Sequence, residues 1–166
     1  NGKNYVEKTV IAAIKNDIAI YAIHTNLDNV LDGVNNQIAD RLGLINRQVL
    51  APKSGQLMKL FTFSPVAHAE KVRSALFEAG GGNIGEYSEA SFNSEGTGTF
   101  KGSDKTSPFL GEPGKRHEEK ETKIEVILTA SLQTTMVKAL LSAHPYEEVS
   151  YAMLTLANDY HTVGRG

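Results

Sequence analysis

The feature that most constrains the fold is a double alternation of strand and helix patterns between residues 57 and 158. Residues 57–63 have the pattern of a β-strand, and residues 123–129 and 149–156 alternate apolar and polar side chains as strands do. Each of the first two strands is followed by apolar residues at helical spacing, which predicts two helices. The apolar positions of these helices are Val66, Ala69, Val72, Leu76 and Phe77, and Leu132, Met136, Val137, Leu140 and Leu141.

Local signals mark the ends of these two helices. Ser64 is a favourable N-cap, and Pro65 suits the first helical position, so the first helix is predicted to begin there. Three glycines at residues 80–82 end it. His144 precedes Pro145 and therefore avoids the helical region, which predicts the end of the second helix.

The segment between the two halves predicts a hairpin and a long loop. Residues 87–93 and 97–101 are typical of two strands joined by a turn at residues 94–96. Residues 102–120 are rich in Gly, Pro, Ser and charge, which predicts an exposed loop. The order strand-helix-strand, hairpin extension, strand-helix-strand is that of a ferredoxin-like fold, with an open sheet and helices on one face.

The first part of the chain predicts helix, strand, loop and helix. Tyr5–Lys15 has apolar residues at helical spacing. Residues 18–23 are apolar on both faces, which is typical of a strand covered on each side in an α/β layer. Residues 34–42 carry a second helical stripe, which Gly43 can end in a left-handed conformation. The linker-like composition of residues 51–55 then predicts a domain boundary.

Composition limits the ligands and partners of the chain. Cysteine is absent, so any metal site must use histidine or carboxylate side chains. The formal net charge of −2 disfavours nucleic-acid binding, which usually needs a clustered basic face. The apolar runs are much shorter than the roughly 20 residues of a transmembrane helix. Because the chain lacks both an initiator methionine and a signal segment, we expect an internal piece of a longer cytoplasmic protein that binds neither nucleic acid nor membrane.

A histidine and an aspartate follow the predicted strand at residues 18–23. His24 and Asp28 belong to the sequence His-Thr-Asn-Leu-Asp, and in α/β sheets ligands bind beyond the carboxyl ends of strands. The spacing would let both side chains face one pocket. Alternatively, Asp28 or Asn29 caps the following segment while His24 bonds to the loop, and spacing alone favours this structural alternative.

Three other polar segments are weaker candidates. His144 could be a ligand or a proton carrier, but a helix-terminal histidine stabilised by the helix dipole is more common, and we assign it a structural role. Residues 96–102 are glycine-rich yet lack the spacing of a phosphate-binding loop, so a hairpin explains them better. Residues 117–121 form a charged run that we expect to be solvated.

Two sequence blocks are similar to the Ngg-interacting factor 3-like family, whose members are also catalogued as dinuclear-metal hexameric proteins and as GTP cyclohydrolase 1 type 2 homologues. The first block is Tyr-Ala-Ile-His-Thr-Asn-Leu-Asp at residues 21–28, followed by Gly-Val-Asn at 33–35 and Leu-Gly-Leu at 42–44. The second is Ala-His-Pro-Tyr-Glu-Glu-Val at residues 143–149, which resembles a domain that longer members insert into their core. That inserted domain is similar to PII and CutA proteins.

The resemblance implies a division of the chain into three parts. Residues 1–55 would be part of an α/β core domain that carries the His-Thr-Asn-Leu-Asp sequence. Residues 56–160 would be the ferredoxin-like, PII/CutA-like inserted domain, and residues 161–166 would return to the core. The expected fold class is therefore α/β in the first part and α+β in the insert.

The resemblance also implies a metal site to which this chain contributes one ligand. Asp28 corresponds to an aspartate that binds one of two divalent metal ions, and His24 would line the same pocket as a catalytic candidate. The family's remaining ligands, a His-His pair upstream and a His and a Glu near the C-terminus, are not in this sequence. We therefore expect two metal ions per intact subunit, zinc, iron, manganese or magnesium, and no metal centre or activity in this chain alone.

Two functions follow from the resemblance. The first is that of a metal-dependent hydrolase acting on a nucleotide or phosphate-containing substrate in a homo-hexamer. The alternative is a non-catalytic PII-like module that assembles, for instance as a trimer through the inserted domain, or senses a small nucleotide-like ligand.

Overall fold

The computed structural model describes residues 2–30, 32–161 and 164–165. The chain divides into two compact units, one made of Asn1–Ala51 with Thr162–Gly166 and the other of Pro52–His161. Within the described residues, no helix has both the length and the apolar character needed to cross a bilayer. Helices together with a four-stranded antiparallel sheet confirm the predicted α+β class.

The first unit begins with helix α1 (Tyr5–Lys15), whose bounds agree with the prediction. Asn4 caps the helix because its side-chain oxygen accepts a hydrogen bond from the backbone N–H of Glu7 at 2.9 Å. The Glu7 carboxylate in turn accepts a hydrogen bond from the backbone N–H of Lys3 at 2.6 Å. These bonds satisfy donors at the start of the helix, so the local sequence alone fixes where α1 begins.

Helix α2 (Val34–Arg41) also forms as predicted. Gly43 has a φ of +67°, and the backbone N–H of Leu44 donates to the carbonyl of Ala39 at 2.9 Å. Glycine adopts this left-handed conformation without the steric cost that other residues bear. The helix therefore ends where the sequence predicts.

The strand predicted at residues 18–23 does not form, and these residues adopt no regular secondary structure. Ile18, Ile20 and Tyr21 are 60%, 61% and 82% exposed. A strand is held by hydrogen bonds to a neighbouring strand, and the described residues of the first unit supply no long neighbour. The apolar pattern identifies a segment whose side chains favour burial. A strand forms there only if a neighbouring strand is present, and the pattern does not show whether one is.

The second unit contains the alternating elements that the sequence predicts. The short strand β1 (Ala51–Pro52) lies where the first unit ends and the second begins. In chain order, the elements of the second unit are β2 (Leu57–Pro65), α3 (Ala69–Glu78), β3 (Ser91–Lys101), β4 (Arg116–Thr129), α4 (Gln133–Ala143) and β5 (Tyr151–Thr155). The sheet order is β3–β4–β2–β5, and each neighbouring pair is antiparallel. This is the ferredoxin-like order, as predicted. A last short strand, β6 (Gly164–Arg165), belongs to the first unit.

One hydrophobic core fills the space between the sheet and the helices α3 and α4. Alternate residues of β2 and β4 point to the helices because successive side chains of a strand lie on opposite faces. The side chains with no exposed surface in this core are Leu60, Val72, Leu76, Ile124, Met136 and Leu140. The intervening residues of β2 and β4 therefore lie on the other, open face of the sheet.

The predicted hairpin of residues 87–93 and 97–101 is wrong. The chain continues through the expected turn as one strand, β3, which pairs with β4 from Ser91 to Lys101. Gly96 lies directly opposite Glu121 in this pairing. A continuous strand gives every residue of β3 a neighbour on β4, which a local hairpin would not do, so the long-range pairing prevails.

The predicted loop at residues 102–120 is shorter than expected, because β4 already begins at Arg116. Half-buried and exposed side chains alternate along the charged residues 117–120, and Glu121 is buried. The expectation that residues 117–121 form a solvated run is therefore wrong. Because nearly every residue of this run is charged, its sequence shows no alternation of apolar and polar side chains, although exposure alternates along it as in other strands.

The start of α3 also differs from the prediction. Ser64 and Pro65 remain in β2, and a 3-10 turn, Val66–His68, separates them from the helix. Pro65 pairs with Glu121 in the register of β2 and β4. Strand pairing therefore extends through the residues whose local preference is to cap a helix.

We expect Leu140→Ala to lower the free energy of unfolding by about 2–5 kcal/mol, since it removes a fully buried side chain from the core. Leu141→Ala is the matched control, because Leu141 is the next residue of α4 and is 50% exposed. Urea unfolding followed by circular dichroism measures both changes. Equal destabilisation by the two variants would show that α4 does not pack as described.

Candidate functional site

The two residues predicted from the His-Thr-Asn-Leu-Asp sequence lie at a short 3-10 turn, Thr25–Asn29. His24 immediately precedes the turn and is exposed, whereas Asp28 is half-buried within it. Among the described residues, no side chain forms a hydrogen bond or a salt bridge with the Asp28 carboxylate. The same part of the chain contains no group of three or more His, Asp or Glu side chains arranged to hold a metal ion.

Local contacts fix the position of this turn. The Asn35 side chain donates a hydrogen bond to the backbone carbonyl of Asp28 at 3.1 Å. A Cβ atom on Gly33 would lie 1.8 Å from the carbonyl oxygen of Leu27, so this approach requires glycine. Gly33 is also the N-cap of α2 and gives no side-chain cap, so neither Asp28 nor Asn29 caps that helix as the structural alternative had it. The turn thus presents Asp28 from a fixed backbone.

A larger candidate site lies in the second unit. A cavity of about 650 Å³, a volume typical of small-molecule sites, extends along the open face of the sheet. Its walls are the β3 backbone, the loop after β3 and the turn after α4. The aromatic and carboxylate side chains that line it are Phe63, Phe100, Phe109, Tyr146, Glu95, Glu121, Glu147 and Glu148.

Glu121 is the buried carboxylate of this cavity, with only 8% of its surface exposed. Its Oε1 accepts a hydrogen bond from the Tyr146 hydroxyl at 2.8 Å. Burial, and then the hydrogen bond to this carboxylate, raises the pKa of Tyr146 above its ordinary range, so the phenol remains a donor. A Cβ atom on Gly98 would lie 2.0 Å from Glu121 Oε2, so glycine at this position of β3 gives the carboxylate its space.

His144 holds the turn that carries Tyr146. Its Nε2 lies 2.8 Å from the carbonyl oxygen of Phe63, which can only accept, so this nitrogen carries the proton. Its Nδ1 accepts a hydrogen bond from the backbone N–H of Tyr146 at 3.1 Å. Burial lowers the pKa of His144 below its ordinary value. The side chain therefore has a structural role, as predicted, but as a neutral hydrogen-bonding group rather than a cation stabilised by the helix dipole.

Aromatic contacts connect the cavity walls. The Tyr146 ring centroid lies 5.8 Å from that of Phe100 and 6.4 Å from that of Phe109. The loop after β3 is also attached to the turn after α4, because the backbone N–H of Ser107 donates to the Glu147 carboxylate at 3.1 Å. The cavity is thus bounded by side chains from segments far apart in sequence.

Sequence reasoning did not find this cavity. The sequence predicts a hairpin at Gly96 and Gly98, but a glycine within a strand can also indicate a close approach, and Glu121 makes one at Gly98. The sequence predicts a structural role for His144, whereas Tyr146 enters only as part of the second similar block. The missing information was the pairing of β3 with β4, which places the Glu121 carboxylate against Gly98.

The fold and the site define an α+β protein whose ferredoxin-like unit contains a cavity of ligand size. Residues 1–146 match the Duf34/NIF3 (NGG1p interacting factor 3) family. The chain belongs to this family, which confirms the resemblance that its two sequence blocks indicated.

Individual relatives agree with this assignment. The chain is 48% identical over 155 residues to a GTP cyclohydrolase 1 type 2 homolog of Halalkalibacterium halodurans, an alignment that covers 93% of the chain and 42% of the relative. It is 45% identical over 139 residues to the Bacillus subtilis protein of that name, covering 83% and 37%. A crystal structure of a Bacillus cereus protein related to NIF3 matches with a TM-score of 0.77 and 46% identity, covering 99% of the chain and 43% of that protein. The chain thus spans less than half the length of these relatives.

We expect acidification to destabilise the protein through His144. Because its folded-state pKa is lowered, the stability it contributes is present above the unfolded pKa of about 6.5 and is lost as the pH falls below that value. His144→Gln should cost about 1–3 kcal/mol at neutral pH and reduce this pH dependence. Urea unfolding at about pH 7.5 and about pH 5.5 tests the difference.

The exposed His161 supplies the control for this experiment. His161→Gln should leave both the free energy of unfolding and its pH dependence close to those of the wild type. If His144→Gln retains the wild-type dependence on pH, the neutral imidazole described above is not the titrating group.

Proposed function

We propose that the chain is part of a metal-dependent, hydrolase-like protein in which Asp28 supplies one of the metal ligands. Membership of the Duf34/NIF3 family supports this proposal, together with relatives that carry the name GTP cyclohydrolase 1 type 2 homolog. The observation that carries it is the Asp28 turn, which holds a half-buried carboxylate without a partner among the described residues. His24 would line the same pocket, and the substrate would be a nucleotide or another phosphate-containing molecule.

The described residues do not by themselves fit a metal ion. Among them no three His, Asp or Glu side chains are arranged to hold a metal ion, and one carboxylate rarely holds a divalent ion against water. In this proposal the remaining ligands come from parts of the relatives that the chain does not span, within a homo-hexamer that binds two metal ions per subunit. Pro52–His161 would then be the domain inserted into that core.

We expect Asp28→Asn in the intact protein to lower the metal content from about two ions per subunit to about one or fewer, because the amide loses the anionic ligand. Elemental analysis by mass spectrometry measures the ratio. Asp17→Asn is the matched control, since Asp17 is exposed in the same unit and its φ of +52° suits asparagine. Unchanged metal content in Asp28→Asn would remove Asp28 from the ligand set.

A second candidate function is that of a small-molecule-binding module in the ferredoxin-like unit. The cavity favours it, because its size, its aromatic walls and its buried polar pair are typical of ligand sites. Such a module would sense a ligand, or assemble as a trimer, without taking part in catalysis. Binding of a small molecule that Glu121→Gln weakens would support this function independently of any metal.

A further inference from the structure

The cavity in the ferredoxin-like unit combines aromatic walls with one buried anionic group. Phe100, Phe109 and Tyr146 line it, and so does Glu121, whose carboxylate lies beside Gly98 of β3. A carboxylate taken out of water is costly unless a positive charge or several hydrogen bonds compensate it. The hydrogen-bond and salt-bridge partners of Glu121 therefore indicate which charge a ligand of the cavity would carry.

Those partners are few among the described residues. Glu121 Oε1 accepts the Tyr146 hydroxyl, and no described side chain forms a salt bridge with Glu121. The two lysines that line the cavity do not neutralise it, since Lys101 is exposed and Lys123 is paired with Glu125. The Lys123 ammonium also lies 4.9 Å from the centroid of the Phe61 ring, and Phe61 does not line the cavity. The buried carboxylate is thus left without a cation.

We propose that this cavity binds a small organic cation, a protonated amine with an apolar body. Its N–H groups would donate to Glu121, and its body would lie against the rings of Phe100, Phe109 and Tyr146, whose faces attract cations. The inference rests on the small-molecule-binding module proposed above, for which it names the ligand class. It is independent of the metal-dependent activity.

Charge argues against the other ligand classes. Glu95, Glu121, Glu147 and Glu148 line the cavity against two lysines, so an anion would meet net repulsion. A neutral apolar molecule would fill the space but leave the Glu121 carboxylate uncompensated. A divalent metal ion needs several oxygen ligands, and no group of three ligands forms among the described residues.

Calorimetric titration of the intact protein with three probes of similar shape tests the charge preference. The probes are phenethylammonium, neutral 2-phenylethanol and anionic phenylacetate. We expect phenethylammonium to bind at least about tenfold more tightly than 2-phenylethanol, and phenylacetate to bind most weakly. If the neutral probe binds as tightly as the cation, the inference is overturned while the binding module stands. Binding of none of the three overturns both.

Substitutions locate the preference at Glu121. Glu121→Gln keeps the shape and an acceptor for Tyr146, and we expect it to weaken phenethylammonium binding about tenfold while leaving 2-phenylethanol binding unchanged. Glu118→Gln is the control, because Glu118 lies on the same strand, is exposed and does not line the cavity. Equal losses in both variants would overturn the assignment.

Tyr146→Phe provides a second variant in case Glu121→Gln does not fold. It removes the hydroxyl donor but keeps the ring and the carboxylate, so the protein should retain its preference for the cation over the alcohol. Loss of that preference would show that the phenol, and not the carboxylate, selects the ligand. The metal content of each variant is measured alongside, which separates this result from the role of Asp28.

Discussion

The pairing of β4 with both of its neighbours is the constraint on which the second unit depends. Because side chains alternate along β4, Ile124 and Val126 enter the core beneath the helices while Glu121 and Lys123 face the other way. A shift of one residue would reverse the two sets and place charge in the core. The apolar residues that fix the register for stability therefore also fix Glu121 opposite Gly96, where the cavity is found.

The first unit shows what happens when such pairing is missing from the described residues. Its helices form because local signals suffice, yet Tyr5, Ile14 and Leu50 remain 82%, 75% and 86% exposed. The segment at residues 18–23 shares this condition, since its apolar side chains have no sheet to join. Exposed apolar surface on this scale is typical of surfaces that pack against further protein. The exposure of these side chains and the absence of the strand at residues 18–23 thus have the same physical cause, which is the lack of a neighbouring sheet among the described residues.

The difference between the two units explains how far the sequence could predict them. The start of α1 follows from the Asn4 cap, and the end of α4 follows from Pro145, both of which act within a few residues. The sheet order also followed, because two strand-helix-strand repeats admit few topologies. The prediction of a hairpin is wrong because residues 94–96 have the composition of a turn, whereas pairing with β4 stabilises them as a strand. The cavity depends on that same register and was therefore not predictable from local pattern.

The two candidate sites differ in how much of their chemistry this chain contains. The Asp28 turn is fixed in place, but its carboxylate needs ligands that the described residues do not supply. The cavity is built entirely within Pro52–His161, where His144 positions Tyr146 and Tyr146 positions Glu121. A metal site of the first kind needs every segment that contributes a ligand, whereas the residues that line the cavity all lie within the second unit. The proposed binding of a ligand in the cavity therefore does not require a metal centre.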